Sequence, residues 1–402
     1  MVEQLLEVLG GDVRSRQSDS NVVPAPKGTG AHSLGIECYH VDCRFSDDVN
    51  QIGQAGWEKI ARLIKFCAEA IWCRVRYGVS TFLYIPAPGM KSPLYRDWMV
   101  MLMCRPFFRR RIFYWQAAGL SEWLVSNGRS WERWLSRLLL GGPDLSIVLG
   151  EYCRGDAEYF SSRRVAVIPN AIPDPCPDFD QRLRPIREAR ASRHVELESG
   201  DRSQAAGDGD RVFRLLFIGL CTREKGLFDA IDAVALANQE LLRRQSGLRF
   251  QLNVAGKFWR DEERTEFEER LRRPDLAAPL GQSTEPVVAY RGFVGGEEKR
   301  RLFEACDCLC FPTFYPAESF GIVIIEAMAF GMQIVTTRWR TIPELFPPGF
   351  PGLVDPRAPS QLADALLACM ERLSNSSLRD HFLSRFTRER YAQNIAAVLL
   401  KD

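Results

Sequence analysis

The stretch FPTFYPAESFGIVIIEAMAFG, residues 311–331, carries two glutamates, Glu318 and Glu326, and no other charge. Just before it, CDCLCFP (306–312) alternates small thiols as a buried strand does and stops at Pro312. A loop, 313–318, then leads into an apolar helix predicted to start near Ser319. Strand, loop and helix in that order are the unit of a parallel α/β sheet, in which ligands bind outside the carboxyl ends of the strands. The free N–H groups and dipole of the helix face that crevice and favour an anion such as a diphosphate. Glu318 stands at the mouth. On a helix, eight residues put Glu326 about 12 Å further on, comparable to the span from a sugar through a diphosphate to a ribose. A helix apolar all round is expected to be buried, so a carboxylate within it needs a partner or costs several kcal/mol. A ribose diol meets that need, and so does a salt bridge to an arginine of a neighbouring element.

Working outward, the same alternation recurs on both sides. Toward the amino end, WEKIARLIKFCAEAIW (57–72), PLYRDWMVMLMC (93–104) and residues 120–140 have helical periods. Between and after them STFLYI (80–85), RIFYW (111–115), DLSIVL (144–149) and RVAVIP (164–169) have the short apolar runs of buried strands. Residues 1–9 look helical, and GIECYHVDCRF (35–45) is the first run that could be a strand, so the first domain is expected to lack its opening strand and loop. Prolines crowd at PDPCPDF and a polar, low-apolar run follows to Arg211, which predicts an interdomain linker over 174–211. A second set of strands and helices begins at RLLFIG (214–219) and runs through LRFQLNVAG (248–256), VVAYRG (287–292) and QIVTT (333–337). The expected division is a first Rossmann-like domain over 1–173, a second over 212–380, and a closing segment, 381–402, whose helix can cross back to the first.

Composition limits the partners. The 53 basic and 51 acidic residues nearly cancel, which argues against nucleic acid. Arginines and aromatics interleave at RPFFRRRIF (Arg105–Arg111), as on a surface facing anionic lipid or, more simply, in a basic loop before a strand. Twelve cysteines without a CxxC pair, and an amino terminus lacking the apolar core of a signal peptide, suggest a cytoplasmic protein. Four scattered histidines offer no metal-ligand cluster, and no metal or other cofactor is expected.

Two further turns point into the same crevice. In LLFIGLCTREKGLFDAI a strand ends at Gly219 and Lys225-Gly226 opens the next helix, so Lys225 and Arg223 could neutralise a diphosphate leaving group. Lysine is a notable choice in a chain with 45 arginines. In NVAGKFW, Gly256 follows another strand, where a missing side chain lets backbone approach a ligand.

These residues carry a resemblance. FIGLCTREKG (217–226), VAGKF (254–258), YRGFV (290–294), the stretch 311–337 and TIPELFPPGFPGLVDP (341–356) resemble the donor-binding domain of retaining GT-B glycosyltransferases of family 4, over about 170 residues. The resemblance implies two Rossmann-like domains facing a central cleft. It implies Glu318 on the transferred sugar, Glu326 on the ribose and Lys225 on the diphosphate, with the backbone of Ser319, Phe320 and Gly321 lining phosphate and sugar and Val294 near the base. Gly219 and Gly256 would line the donor, and Glu318, Lys225 and Arg223 would take part in the transfer. The donor would be a UDP- or GDP-sugar, and the acceptor a glycan or lipid-linked glycan of cell-surface polysaccharide or glycolipid synthesis, met at the inner membrane face.

Three positions depart from that pattern. Leu220 stands where the family usually has an arginine, with Arg223 the candidate substitute. YWQAAG, with Gln116, stands where many members carry a histidine. The glycines of KGTGAHSLG (27–35) follow no legible strand. Other readings are a catalytically silent nucleotide-sugar-binding protein, an amino-terminally truncated product, or a GT-B epimerase or phosphorylase. A metal-dependent transferase would need a D-x-D closing a strand, and Asp178/Asp180 and Asp208/Asp210 both fall in the expected linker.

Overall fold

The computed structural model describes residues 22–24, 38–41, 57–198, 211–277, 286–372 and 377–400. They belong to two compact units, Met1–Asn170 with Arg388–Asp402, and Ala171–Thr387. The nonapeptide 1–9, the glycines of 27–35 and the Asp208/Asp210 pair lie outside the described residues.

In the first unit β1 (Val22–Pro24) and β2 (Tyr39–Val41) form a separate antiparallel pair, so the segment read as the first strand does not open the parallel sheet. That sheet begins after α1 (Trp57–Tyr77), with β3 (Thr81–Tyr84), α2 (Lys91–Cys104) and β4 (Arg110–Tyr114). It continues through α3 (Leu120–Asn127), α4 (Ser130–Leu140), β5 (Leu145–Val148), α5 (Arg154–Tyr159) and β6 (Val165–Val167). The strands lie in the order β3-β4-β5-β6, each parallel to the next. Phe113 and Trp115 on one side of the core meet Leu94, Trp98 and Met101 of α2. Both indoles are satisfied, Trp98 donating to Ser136 Oγ and Trp115 to Ser146 Oγ at 3.0 Å each, so the rings are buried without an orphan donor.

The second unit starts earlier than composition suggested. Residues within the expected linker form a helix, α6 (Arg184–Glu198), that packs on this unit. Its anchor is Arg187, a buried guanidinium that donates to the carbonyls of Phe330 (2.7 Å), Cys306 (2.9 Å) and Phe303 (2.7 Å). Burial pushes its pKa down to about 10, still well above neutrality. Asp178 and Asp180 pair with Arg182 and Arg184 one helical turn on, at 2.6 and 2.7 Å, rather than closing a strand.

The second sheet is built from β7 (Val212–Ile218), α7 (Leu227–Arg243), β8 (Arg249–Ala255), α8 (Asp261–Leu271), α9 (Pro274–Ala277) and β9 (Val288–Gly292). Then follow α10 (Gly296–Ala305), β10 (Cys308–Phe311), α11 (Ile322–Ala329), β11 (Gln333–Thr337), β12 (Leu353–Val354), α12 (Pro359–Met370) and α13 (Ser377–Arg385). All pairs are parallel, in the order β9-β8-β7-β10-β11-β12. This is the doubly wound order, and its direction reverses between β7 and β10. The cysteines of 306–310 are all buried, as expected of a strand covered on both faces. The last helix, α14 (Arg388–Leu399), belongs to the first unit, where the Tyr391 hydroxyl donates to that of Tyr114 at 3.0 Å.

Phe303 and Cys306 end α10, and Phe330 ends α11, so Arg187 closes two helix carboxyl termini at once. Arg187→Met should keep the apolar stem but leave three buried acceptors unmet. A loss of about 3 kcal/mol, or roughly 6 to 12 °C in Tm for a unit of this size, is expected by thermal or denaturant unfolding. A loss below about 1 kcal/mol would show that the three carbonyls find other donors.

Candidate active site

The reversal of strand order sets β7 beside β10, joined by two register pairs, Leu215 with Cys308 and Leu216 with Leu309. Past these pairs the loops 219–226 and 312–321 share one crevice. Three glycines hold it in shape. Gly226, at φ +81°, caps α7, and a β-carbon there would lie 2.1 Å from the Pro312 carbonyl oxygen. Gly256, at φ +155°, packs on the loop after β7 so closely that a β-carbon would fall 1.8 Å from the Gly219 oxygen. Gly321, at φ +71°, turns the chain into α11.

Lys225 and Glu318, assigned by sequence to different parts of a ligand, meet directly. Lys225 Nζ lies 2.6 Å from Glu318 Oε2, with side chains 15% and 11% exposed. The ammonium also sits 4.8 Å from the Tyr315 ring centre and 5.6 Å from that of Phe311. An opposite charge and two aromatic faces compensate its partial loss of water. The Thr313 hydroxyl reaches Glu318 Oε2 at 3.4 Å, and the Phe314 N–H donates to the Glu224 carbonyl at 2.8 Å, tying the two loops together. Burial and the nearby Glu318 carboxylate raise the Tyr315 pKa.

The helix with the second glutamate differs from expectation in two ways. It begins at Ile322, four residues after Glu318, so the helical-rise estimate of the Glu318–Glu326 span does not apply. Nor is it covered all round: Ile322 is exposed and Val323 and Glu326 are half-buried, one open face on an otherwise buried helix. The partner of Glu326 is Lys299 of α10, Nζ to Oε1 2.6 Å, and not an arginine. Sequence reasoning missed Lys299. The signal was there: residues 171–387 contain three lysines, Lys225, Lys257 and Lys299, each following the carboxyl end of a strand, while every other cation-bearing side chain apart from histidine is arginine.

The remaining residues divide between the crevice and its surroundings. Arg223 turns away from Glu318, pairing with Glu266 of α8 at 2.5 Å and lying over the Phe228 ring. Leu220 is exposed beside Gly219, while Val294 and Phe320 are buried. Ser319 precedes Gly321 in the loop, and Tyr290 of β9 holds the turn after β8 by donating to the Gly256 oxygen at 2.8 Å. In the first unit Gln116 lies after β4, where its Oε1 accepts from Asn170 at 3.5 Å. Asn170 Oδ1 in turn accepts from Tyr114 at 3.4 Å. Burial raises the pKa of Tyr114 and of Tyr391 beyond it, so this row of hydroxyls and amides stays neutral.

Residues 212–372 match the family described as glycosyl transferases group 1. O-antigen chain mannosyltransferase B of Escherichia coli is 27% identical over 158 residues, 39% of this chain and 36% of its own length. Amylovoran biosynthesis glycosyltransferase AmsK of Erwinia amylovora is 29% identical over 165 residues, 40% of this chain and 36% of its own. Each match thus spans little more than a third of the relative. Among solved structures, Anabaena Alr3699/HepE in complex with UDP and glucose superposes with a TM-score of 0.58 at 17% identity, covering 87% of this chain and 84% of that one. Sucrose-phosphate synthase from Thermosynechococcus elongatus gives 0.60 at 17%, covering 95% and 86%. With the two parallel-sheet units, these likenesses identify the GT-B glycosyltransferase fold.

The approach of Gly226 to Pro312 can be tested against a glycine of similar φ in open space. Gly292, at φ +70°, has nothing within 4 Å of an added β-carbon. Gly226→Ala should cost at least about 1 kcal/mol more than Gly292→Ala in denaturant unfolding, since only the first meets backbone. Equal losses would mean that φ alone demands glycine at 226.

Proposed function

We propose that the chain is a retaining, metal-independent glycosyltransferase of family 4 that moves a sugar from a UDP- or GDP-sugar to a glycan or lipid-linked glycan acceptor. It would act at the cytoplasmic face of a membrane, in cell-surface polysaccharide or glycolipid synthesis. The observation that carries this reading is the Lys225–Glu318 pair at the switch point, inside the segment that matches glycosyl transferases group 1. In the structure each charge is neutralised by the other. A nucleotide sugar offers each a better partner: the diphosphate for Lys225, sugar hydroxyls for Glu318. Glu326 would exchange Lys299 for the ribose hydroxyls. As the bond to the sugar breaks, negative charge grows on the departing phosphate, and Lys225 stabilises it most at that point. The departing phosphate can accept the acceptor's proton on the same face, so no enzyme base is required where Gln116 stands.

A second reading, a nucleotide-sugar-binding protein without transfer activity, is favoured by one observation. Arg223, the candidate replacement for the arginine missing at Leu220, is engaged by Glu266. Arg223→Ala separates the two: a fall in turnover shows that the Glu266 pair opens during transfer, whereas no turnover by the wild type toward any acceptor supports the silent reading.

Glu318→Ala frees Lys225, so affinity for free nucleoside diphosphate should hold or rise, while affinity for the intact donor falls by at least about 1.5 kcal/mol. Calorimetry with both ligands checks this, and equal weakening toward both would make Glu318 a structural residue. Lys225→Ala should reduce turnover by about 10² or more. Glu326→Gln should weaken nucleotide binding by about 1.5 to 3 kcal/mol with the fold intact, and unchanged affinity would leave Glu326 as the structural partner of Lys299.

A further inference from the structure

The near-neutral whole chain hides a strongly uneven distribution of charge. Residues 57–77, 91–111 and 129–140, which include α1, α2 and α4, carry fourteen basic and four acidic side chains, against 53 and 51 in the full sequence. The remainder is therefore net acidic. Two of the four acids, Asp97 and Glu132, are buried. These helices precede β3, β4 and β5, so in a parallel α/β unit their carboxyl ends lie at the amino-terminal edge of the sheet, opposite the ligand-binding edge.

That edge is stitched together. Arg74 near the end of α1 donates to the Phe107 carbonyl at 3.0 Å. Arg105, after α2, donates to the carbonyls of Leu138 and Leu139 in the last turn of α4. Arg111 donates to Gly141 and Gly142 just beyond, at 3.2 and 2.7 Å. Burial, then the neighbouring Arg105, lowers the Arg111 pKa, which shows how closely the cations crowd. Arg105 and Arg111 are thus spent on helix ends, and RPFFRRRIF by itself is not the contact surface; Arg76, Arg109 and Arg137 remain exposed.

Large apolar side chains stand among these exposed arginines. Trp72 and Val75 on α1, Leu102 and Phe107 at the end of α2, and Trp134 and Leu138 on α4 are all between 46% and 76% exposed. Trp134 and Leu138 are one turn apart on one face of α4. Tryptophan, leucine and arginine interleaved on one surface suit the interface of an anionic bilayer, where rings sit at headgroup depth and guanidinium groups meet phosphates. Among the described residues no helix is long and apolar enough to cross a membrane.

We infer that the amino-terminal edge of the first unit, formed by the carboxyl ends of α1, α2 and α4, docks on a bilayer of anionic phospholipid. The inference deepens, and rests on, the membrane contact included in the reading above. It commits to lipid because charge and large exposed apolar side chains coincide over three helix ends, with tryptophan on two of them. Docking by this edge leaves the carboxyl-terminal edge of the first sheet open.

The test is sedimentation of the full chain with phosphatidylcholine vesicles and with vesicles containing phosphatidylglycerol. Binding at least about tenfold tighter to the anionic vesicles, weakened by salt, is expected. Arg76→Glu with Arg109→Glu should weaken it by about tenfold or more. Trp72→Ser with Trp134→Ser should weaken it severalfold while leaving salt sensitivity in place. Equal binding to both vesicle types, or to neither, overturns the proposal. So does tight binding to heparin that the tryptophan variants do not affect, which would assign the surface to a soluble polyanion. Nucleotide binding followed by thermal shift on the same variants should be unchanged. Vesicle binding without any nucleotide response would uphold the surface while counting against the transferase reading, so the two can fail separately.

Discussion

There is no room for a β-carbon at residue 226, and the second unit's crevice depends on that closeness. Because the backbone at Gly226 nearly touches the Pro312 carbonyl, the loop after β7 and the loop after β10 behave as one wall. Lys225 precedes the contact and Glu318 follows it, so the ion pair is imposed by backbone packing rather than by the reach of two flexible side chains. The topology contributes the other half. Only where strand order reverses do neighbouring strands send their following helices to opposite faces, leaving a gap for such loops.

Both pairs in this region, Lys225 with Glu318 and Lys299 with Glu326, join side chains that remain partly wet. A pair that keeps some water is less costly to open than a fully buried one and can give way to a stronger partner. Fully buried pairs would have been too costly to break, and unpaired charges too costly to keep. The choice of lysine fits: its ammonium pivots on a long stem, whereas an arginine fork is committed to one planar partner. The buried arginines Arg187 and Arg379 do the opposite work, each fixed by three or more hydrogen bonds to backbone or Asp174.

How much of this was legible follows from which forces write themselves into apolar periodicity. The strands and helices of 212–337 bury continuous apolar faces, and their order, the turns at Gly219 and Gly256 and the two glutamates could all be read directly. α6 could not, because it is held by Arg187 rather than by an apolar stripe, and by composition an anchoring arginine looks the same as a solvated one. Lys299 lay beyond reach for a different reason: its meeting with Glu326 joins α10 to α11, 27 residues apart, and periodicity says nothing about which neighbours meet. The open face of α11 was misread because an apolar helix facing a crevice has the same sequence as one facing a core.

The placement of α14 has a consequence for how the protein is made. The first unit is interrupted by the 217 residues Ala171–Thr387, and Tyr391 and Ile395, both buried, complete its packing from the far end of the chain. At ordinary rates of synthesis the ribosome takes on the order of ten to forty seconds to pass through that insertion. For that interval Tyr114 and the end of β4 wait without their final covering, while the second unit emerges whole. The part of the chain born first is therefore the last to be finished, and a nascent polypeptide stalled late in translation would carry a completed second unit beside an incomplete first.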